Sequence, residues 1–337
     1  MKGSEIYAAL PAGDKADLEA AIWEHLNAGR YIPPKFMPIA TTAKGHTALV
    51  WVATDAIHLG EEGDSFRPMV SPLVLDMLAS KLGYYMPTSK IVREVYKQGS
   101  IKLSPKTQNA SSADRVACCD PNSAACAEAY KRLGVKPRCQ SPSMGDKAAM
   151  KMHSDDIDKA AGFAPGAAAF GVTINDTGKT WINDSKIGSS YPGMGCNHGW
   201  YDKSAPYKDV EQLPAWQIRG MAHNVGTDVQ TNPGHFDYSQ TASYLVHPKV
   251  LVDGGEGGGT WMDFAAVLRD PILSYLVNDD GPLPTAHPHY SGGNTSGVPS
   301  VVTEDPSQSG QASSSSVMAY GVVACVALGL FWLTLRK

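Results

Sequence analysis

Thr47-Ala48-Leu49-Val50-Trp51-Val52-Ala53-Thr54 is nearly all apolar between two threonines, the pattern of a strand covered on both faces. Helical periods flank it. Upstream, Leu18, Ile22 and Leu26 recur on one face, predicting a docking helix from Asp14 to Ala28 stopped at Gly29. Downstream, Ser71-Pro72 offers an N-cap and a proline at the first helical position, Val74, Met77, Leu78 and Leu82 follow at helical spacing, and Gly83 ends the run. Thr88 or Ser89 can cap the next helix, whose apolar stripe is Ile91, Val92, Val95 and Tyr96. Later the period shortens. Ala168–Ile174 and Lys179–Asn183 read as strands flanking Asn175-Asp176-Thr177-Gly178, a hairpin turn by composition, and Ala242–Val246 and Lys249–Val252 read as two more. Thr260 and Asp263 resemble a capping pair opening a helix through Trp261, Phe264, Ala265 and Leu268, interrupted at Asp270-Pro271. The expectation is a mixed α+β fold: a helical N-terminal part packed with a mainly antiparallel sheet in the later part.

The 337 residues divide by composition. Residues 1–281 have the apolar content of one globular domain, interrupted by an excursion at 104–152 rich in Ser, Ala, Asn, Lys and Cys. Residues 282–316 collapse to Gly, Pro, Ser, Thr and His, too few large apolar groups to pack, and read as a flexible stalk. Residues 317–335 are a continuous apolar run closed by Arg336-Lys337; as a helix they span roughly 28 Å, the thickness of a bilayer core. Tyr320 and Trp332 sit near its ends, where aromatic rings prefer the lipid interface. A single-pass C-terminal anchor is expected, with the lipid bilayer as one partner.

Orientation stays open. The terminal Arg-Lys pair favours the cytoplasmic side and so an extracytoplasmic domain, yet Met1-Lys2-Gly3-Ser4-Glu5 lacks a signal-peptide core; a virion membrane would remove the conflict. With 29 Lys and Arg against 33 Asp and Glu, no overall field attracts nucleic acid. Cys118, Cys119, Cys126 and Cys139 crowd into the excursion without the paired spacing of a zinc ribbon, so disulfides are favoured over a metal there, with plain thiols the alternative.

Side chains that carry chemistry concentrate between Lys179 and Ser239. In Gly234-His235-Phe236-Asp237-Tyr238-Ser239-Gln240, an extended backbone would put His235, Asp237 and Ser239 on one face, an imidazole beside a carboxylate that could fix its tautomer for general-base work. The bland alternative is a turn satisfying its own backbone. His198, His223, His235 and Asp237 could together form an open zinc site, although no HExxH-type spacing supports it. Cys196-Asn197-His198 raises a thiol nucleophile, against which a structural Cys196 is the simpler reading. His287 and His289 are assigned to the stalk, and Gly254–Gly259 lacks the lysine and βαβ context of a phosphate loop.

Met86-Pro87-Thr88-Ser89-Lys90-Ile91-Val92, Asn197-His198-Gly199-Trp200-Tyr201, and Asp237-Tyr238-Ser239-Gln240-Thr241 followed by Leu245-Val246 resemble short blocks of poorly characterised exported bacterial cell-envelope proteins. The resemblance covers about half the chain, leaves out the Cys-rich excursion and the anchor, and implies an extracytoplasmic envelope setting with no established activity. Two functions follow as expectations. One is a membrane-anchored hydrolase-like domain acting on a cell-wall polymer, with His235 or His198 as base, Asp237 as orienting carboxylate, His223 as a second polar or metal-binding group, and Tyr238 and Ser239 beside them. The other is a non-catalytic structural or attachment protein of a cell or virion surface.

Overall fold

A computed structural model describes residues 1–12, 15–103, 122–133, 146–166, 174–175, 179–184, 194–199, 222–224, 226–228, 232–255 and 258–288. Two short helices, α1 (Gly3–Ala9) and α2 (Lys15–Asn27), precede strands β1 (Tyr31–Ile32), β2 (Phe36–Ala43), β3 (His46–Ala53), β4 (His58–Glu61) and β5 (Asp64–Phe66). Helices α3 (Pro72–Leu82) and α4 (Ser89–Gln98), strand β6 (Ile101–Lys102), and helices α5 (Ala124–Leu133) and α6 (Lys147–Ala161) follow. The later part holds β7 (Ile174–Asn175), β8 (Lys179–Ile182), β9 (Met194–Gly199), β10 (Ala222–Asn224), β11 (Gly226–Asp228), β12 (Asn232–Pro233), β13 (Gln240–Thr241), β14 (Val246–Gly255), β15 (Gly258–Asp263) and α7 (Phe264–Arg269).

The α+β class holds, and its strand pairing is mostly antiparallel. The two largest sheets run β15-β14-β3-β2 and β10-β9-β8-β13. The predicted segregation of helices before strands does not hold, because the first of these sheets takes two strands from residues 36–53. β2 and β3 are joined at Lys44-Gly45, both at positive φ (52° and 81°), the geometry that matches a tight hairpin to strand twist.

Local signals survived into the structure. Ser71 Oγ accepts the Val74 amide at 3.3 Å, Pro72 opens α3 and Gly83 ends it in the left-handed region; Thr88 Oγ1 accepts the Ile91 amide at 3.3 Å to start α4. Non-local pairings did not follow. Among the described residues, β7 pairs in parallel with β6 and not with β8, which lies between β9 and β13; residues 168–173 and 176–178 of the expected hairpin lie outside the described residues. Ala242–Leu245 is not a strand, and β14 runs unbroken from Val246 through Pro248 to Gly255. Trp261 lies on β15 and the helix begins only at Phe264. Helix α6 begins inside the supposed excursion, capped by Asp146 (Ala148 amide to Oδ1, 2.7 Å) and closed by Gly162.

Two apolar clusters form the core. One joins Leu18, Ile22 and Leu26 of α2, Val74, Leu75 and Leu78 of α3, Met150 of α6, Trp181 and Phe236. The other fills the inner side of β15-β14-β3-β2 with Val50, Val52, Val250 and Val252 against Ile91 and Val95 of α4 and Phe264 and Leu268 of α7. Strand β8 serves both, Trp181 in the first cluster and Ile182 in the second.

The beginning of the presumed stalk is docked. Leu283 and Ala286 are buried, Leu283 donates its amide to Leu268 O, and Asn183 Nδ2 reaches the carbonyls of Thr285 and Ala286. His287, assigned above to the stalk, has a fixed position: its Nδ1 is 3.1 Å from Ser80 Oγ and 3.3 Å from Asp76 Oδ1. Residues 289–337, including the apolar run 317–335, lie outside the described residues. Among the described residues, no helix is long and apolar enough to cross a membrane.

Gly60 shows how tightly the N-terminus is held. At φ 119°, an added Cβ would lie 2.4 Å from Asp64 O and 2.7 Å from Gly3 N, both backbone atoms with no room to retreat. Gly60→Ala is therefore expected to cost at least about 2 kcal/mol, from the backbone strain alone; a urea midpoint equal to that of the parent protein would contradict this reading.

Candidate functional site

The polar centre of the domain is built on Arg67, just past β5 and only 1% exposed. Its Nε and Nη2 donate to the two oxygens of Asp55 at 2.9 and 2.6 Å, and Nη1 donates to Asp158 Oδ1 at 2.8 Å and to the Ser154 carbonyl at 3.3 Å. The planar guanidinium is suited to this two-sided bridging. Asp158 Oδ2 also accepts the Gly166 amide at 2.7 Å, and the Arg67 amide donates to Ser154 Oγ at 3.0 Å. His58 lies between Asp55 Oδ2 (Nε2, 3.2 Å) and Ser65 Oγ (Nδ1, 3.0 Å). Ser65 Oγ is also 2.5 Å from the Gly166 carbonyl, so with a neutral imidazole its one proton serves two acceptors.

The electrostatics follow from burial. Desolvation opposes ionisation of Asp55, but Arg67 and then His58 outweigh it and hold the carboxyl far below the usual range. His58 is driven down first by desolvation and then by Arg67, with Asp55 pulling the other way. Asp55 and His58 border a small, partly open depression walled by Pro33, Pro34, Lys35 and Thr54. Because Arg67 occupies both oxygens of Asp55 and Ser65 is buried, this Asp-His-Ser row clamps β4, β5 and α6 together and presents no reachable nucleophile.

The segment singled out by sequence adjoins the chain just after Arg67, where the Val70 amide donates to Gln240 O at 2.9 Å. It is a turn, not an extended strand. The Gln240 amide donates to Asp237 O at 3.0 Å, Asp237 Oδ1 accepts the Ser239 amide at 2.8 Å and its hydroxyl at 2.5 Å, and the Asp237 amide donates to Gln240 Oε1 at 2.8 Å. Asp237 thus satisfies its own turn and keeps Oδ2 directed at His235, whose Nε2 is 3.6 Å away. The imidazole is 35% exposed and the carboxylate 3%. Trp181 stands edge-on to His235, with ring centroids 6.5 Å apart, anchored by its indole N–H on the Val70 carbonyl at 2.7 Å. Burial alone would raise the Asp237 carboxyl, but His235, the Lys179 charge and the Ser239 hydrogen bonds outweigh that and hold it well below the carboxylate range. Tyr238 is buried against His153 of α6, at 5.2 Å between centroids. Desolvation and then Arg67 push His153 down to about 3, with Asp237 opposing, so one electrostatic field spans both halves of the centre.

The remaining candidates do not join this group. His198 lies opposite Thr180 in the β8–β9 register, one residue from Asn197 opposite Trp181. Strand alternation therefore sets His198 on the face of Ile182 and Cys196, away from the Trp181 face that meets His235. It is 1% exposed and pushed down to about 3 by desolvation and then Arg93. Cys196, 4% exposed, is outside any disulfide and out of reach of a large substrate. His223 is on β10 opposite Gly195, with its ring outside the described residues. Among the described residues, no group of three or more His, Cys, Asp or Glu side chains could hold a metal ion.

Asp55, His58, Arg67, His153 and Asp158 were absent from the sequence-derived candidates. A signal existed for α6: Met150, His153, Ser154, Ile157 and Asp158 share one helical stripe, and polar groups inside an apolar stripe mark a buried network. The fold and site together define an α+β domain with a buried arginine-carboxylate centre beside a half-exposed His-Asp pair. No family model, curated protein or solved structure matches the chain.

Proposed function

We propose that this is a membrane-anchored, envelope-facing hydrolase-like domain acting on a cell-wall polymer, with His235 as general base and Asp237 as the carboxylate that orients it. The observation that carries the reading is the pairing of a half-exposed imidazole with a carboxylate kept buried, ionised and aimed by its own turn. Such a carboxylate fixes the imidazole tautomer and stabilises the charge it acquires on taking a proton from water. Ser239 acts through Asp237 as a hydrogen-bond donor, and Tyr238 packs against His153. His198 takes no part, being on the other face of β8–β9. The apolar run 317–335 supplies the tether.

His235→Ala and Asp237→Asn are each expected to lower turnover of purified peptidoglycan on the order of 100-fold or more, the usual contribution of a positioned base. His198→Gln should leave the rate unchanged. The check is release of soluble fragments, with thermal unfolding followed in parallel. Unchanged turnover in a folded His235→Ala protein would dismiss the assignment in favour of a non-catalytic surface protein.

A further inference from the structure

The outer face of β15-β14-β3-β2 departs from the usual pattern. The side of an antiparallel sheet turned away from its core is normally polar. Here its middle is Leu49, Trp51, Leu251 and Trp261, with Leu251 opposite both Leu49 and Trp261 in register. Trp51 and Trp261 reach each other across β14, centroids 4.9 Å apart and planes inclined by 35°. A cross-strand aromatic contact stabilises a sheet, yet Trp261 remains 43% exposed on the edge strand. It is the contiguity of these apolar side chains on one face, inside a polar rim, that fits a surface with a ligand.

The rim of this face carries paired polar groups. Lys249 Nζ is 2.6 Å from Asp263 Oδ1, and His46 Nδ1 is 2.8 Å from Asp253 Oδ2. The exposed Thr42 and Thr47 add hydroxyls beside them. Nucleic acid or an anionic bilayer would call for unpaired cations. A second copy of the chain would recruit about 20–30 residues a side, where this face offers a handful of large apolar groups. A sugar fits both features: the C–H face of a pyranose lies flat on an indole, and its equatorial hydroxyls meet paired donors and acceptors at the edge.

We propose that the outer face of this sheet binds a neutral glycan chain, with a sugar ring stacked on the Trp51–Trp261 pair. The inference stands on the sheet face and does not depend on the chemistry at His235. The full-length chain in neutral detergent micelles is titrated with a soluble N-acetylglucosamine hexamer and with a soluble neutral β-glucan, followed by tryptophan fluorescence and calorimetry. Saturable binding of at least one is expected; Trp261→Ala should weaken it about tenfold, as loss of one aromatic stacking partner does. Trp261→Tyr, which keeps a ring, should retain most of the affinity, and His235→Ala should leave it unchanged. Equal affinity in Trp261→Ala, or no binding of either glycan, overturns the proposal. So does Trp261-dependent binding to zwitterionic vesicles, or a Trp261-dependent dimer, in place of glycan binding. If His235→Ala loses the glycan while Trp261→Ala keeps it, the sheet-face site is wrong and the His235 assignment stands.

Discussion

Arg67→Met is expected to destabilise the domain by about 3–5 kcal/mol, the range for removing one partner of a buried ion pair, and so to remove much of the roughly 5–15 kcal/mol that holds a domain folded. Arg67 is the cation between Asp55 and Asp158, whose side chains are 6% and 0% exposed. Without it, two buried carboxylates lose the cation between them. The cost belongs mainly to those stranded charges rather than to the lost hydrogen bonds. Combining Arg67→Met with Asp55→Asn and Asp158→Leu should therefore recover part of the loss, although it removes more polar contacts. Urea unfolding of the single and triple variants decides the point. A single variant within about 1 kcal/mol of the parent protein would place Arg67 outside the group of strongly coupled buried charges.

Acid should unfold the protein well before the carboxylates titrate. Three histidines are buried with folded-state pKa values below the ordinary 6.5: His58, and His153 and His198, each near 3. The unfolded chain takes up protons on these rings below pH 6.5 while the folded chain does not, so the unfolded state gains protons and stability falls with falling pH. The stability they contribute is fully present above the unfolded value and is lost as pH drops toward 3. Each ring adds a slope of up to about 1.4 kcal/mol per pH unit, so His153 and His198 together approach roughly 2.7. Asp55 and Asp237, both held low in the folded state, push the same way below 3.8. Urea midpoints between pH 7.5 and 4.5 measure the slope, and His153→Gln should remove about one ring's share. A flat profile across that range would show that these rings are not desolvated in the folded protein.

Much of what was legible in the letters was local. Ser71, Pro72, Gly83 and Thr88 announce helix ends because a cap is settled within three or four residues. The stripe Leu18, Ile22, Leu26 needed only the helical period, and the strand around Trp51 only its apolar density. The helix Lys147–Ala161 shows where this ends: its cap Asp146 and stop Gly162 are ordinary signals, but its buried stripe contains His153 and Asp158, polar letters that read as surface. Asp158 is inside because Arg67 meets it there, from 91 residues away along the chain, and His153 because Tyr238 packs against it. The same limit explains β7, whose best partner is β6 and not the nearest strand, and His287, which Ser80 and Asp76 hold in place.

The candidate site divides along the same line. His235 and Asp237 were found because they lie two positions apart and one turn brings them together. His198 was grouped with them by composition, and only the β8–β9 register shows that it faces the other core. By itself the sequence determined the α+β class, the capped helices, the apolar run at 317–335 and the His235–Asp237 pair, since each rests on interactions between near neighbours or on bulk composition. Tertiary structure alone decided strand partners, the Arg67 centre and which face each histidine occupies. Those depend on contacts between distant segments, whose energy appears only once the chain has closed.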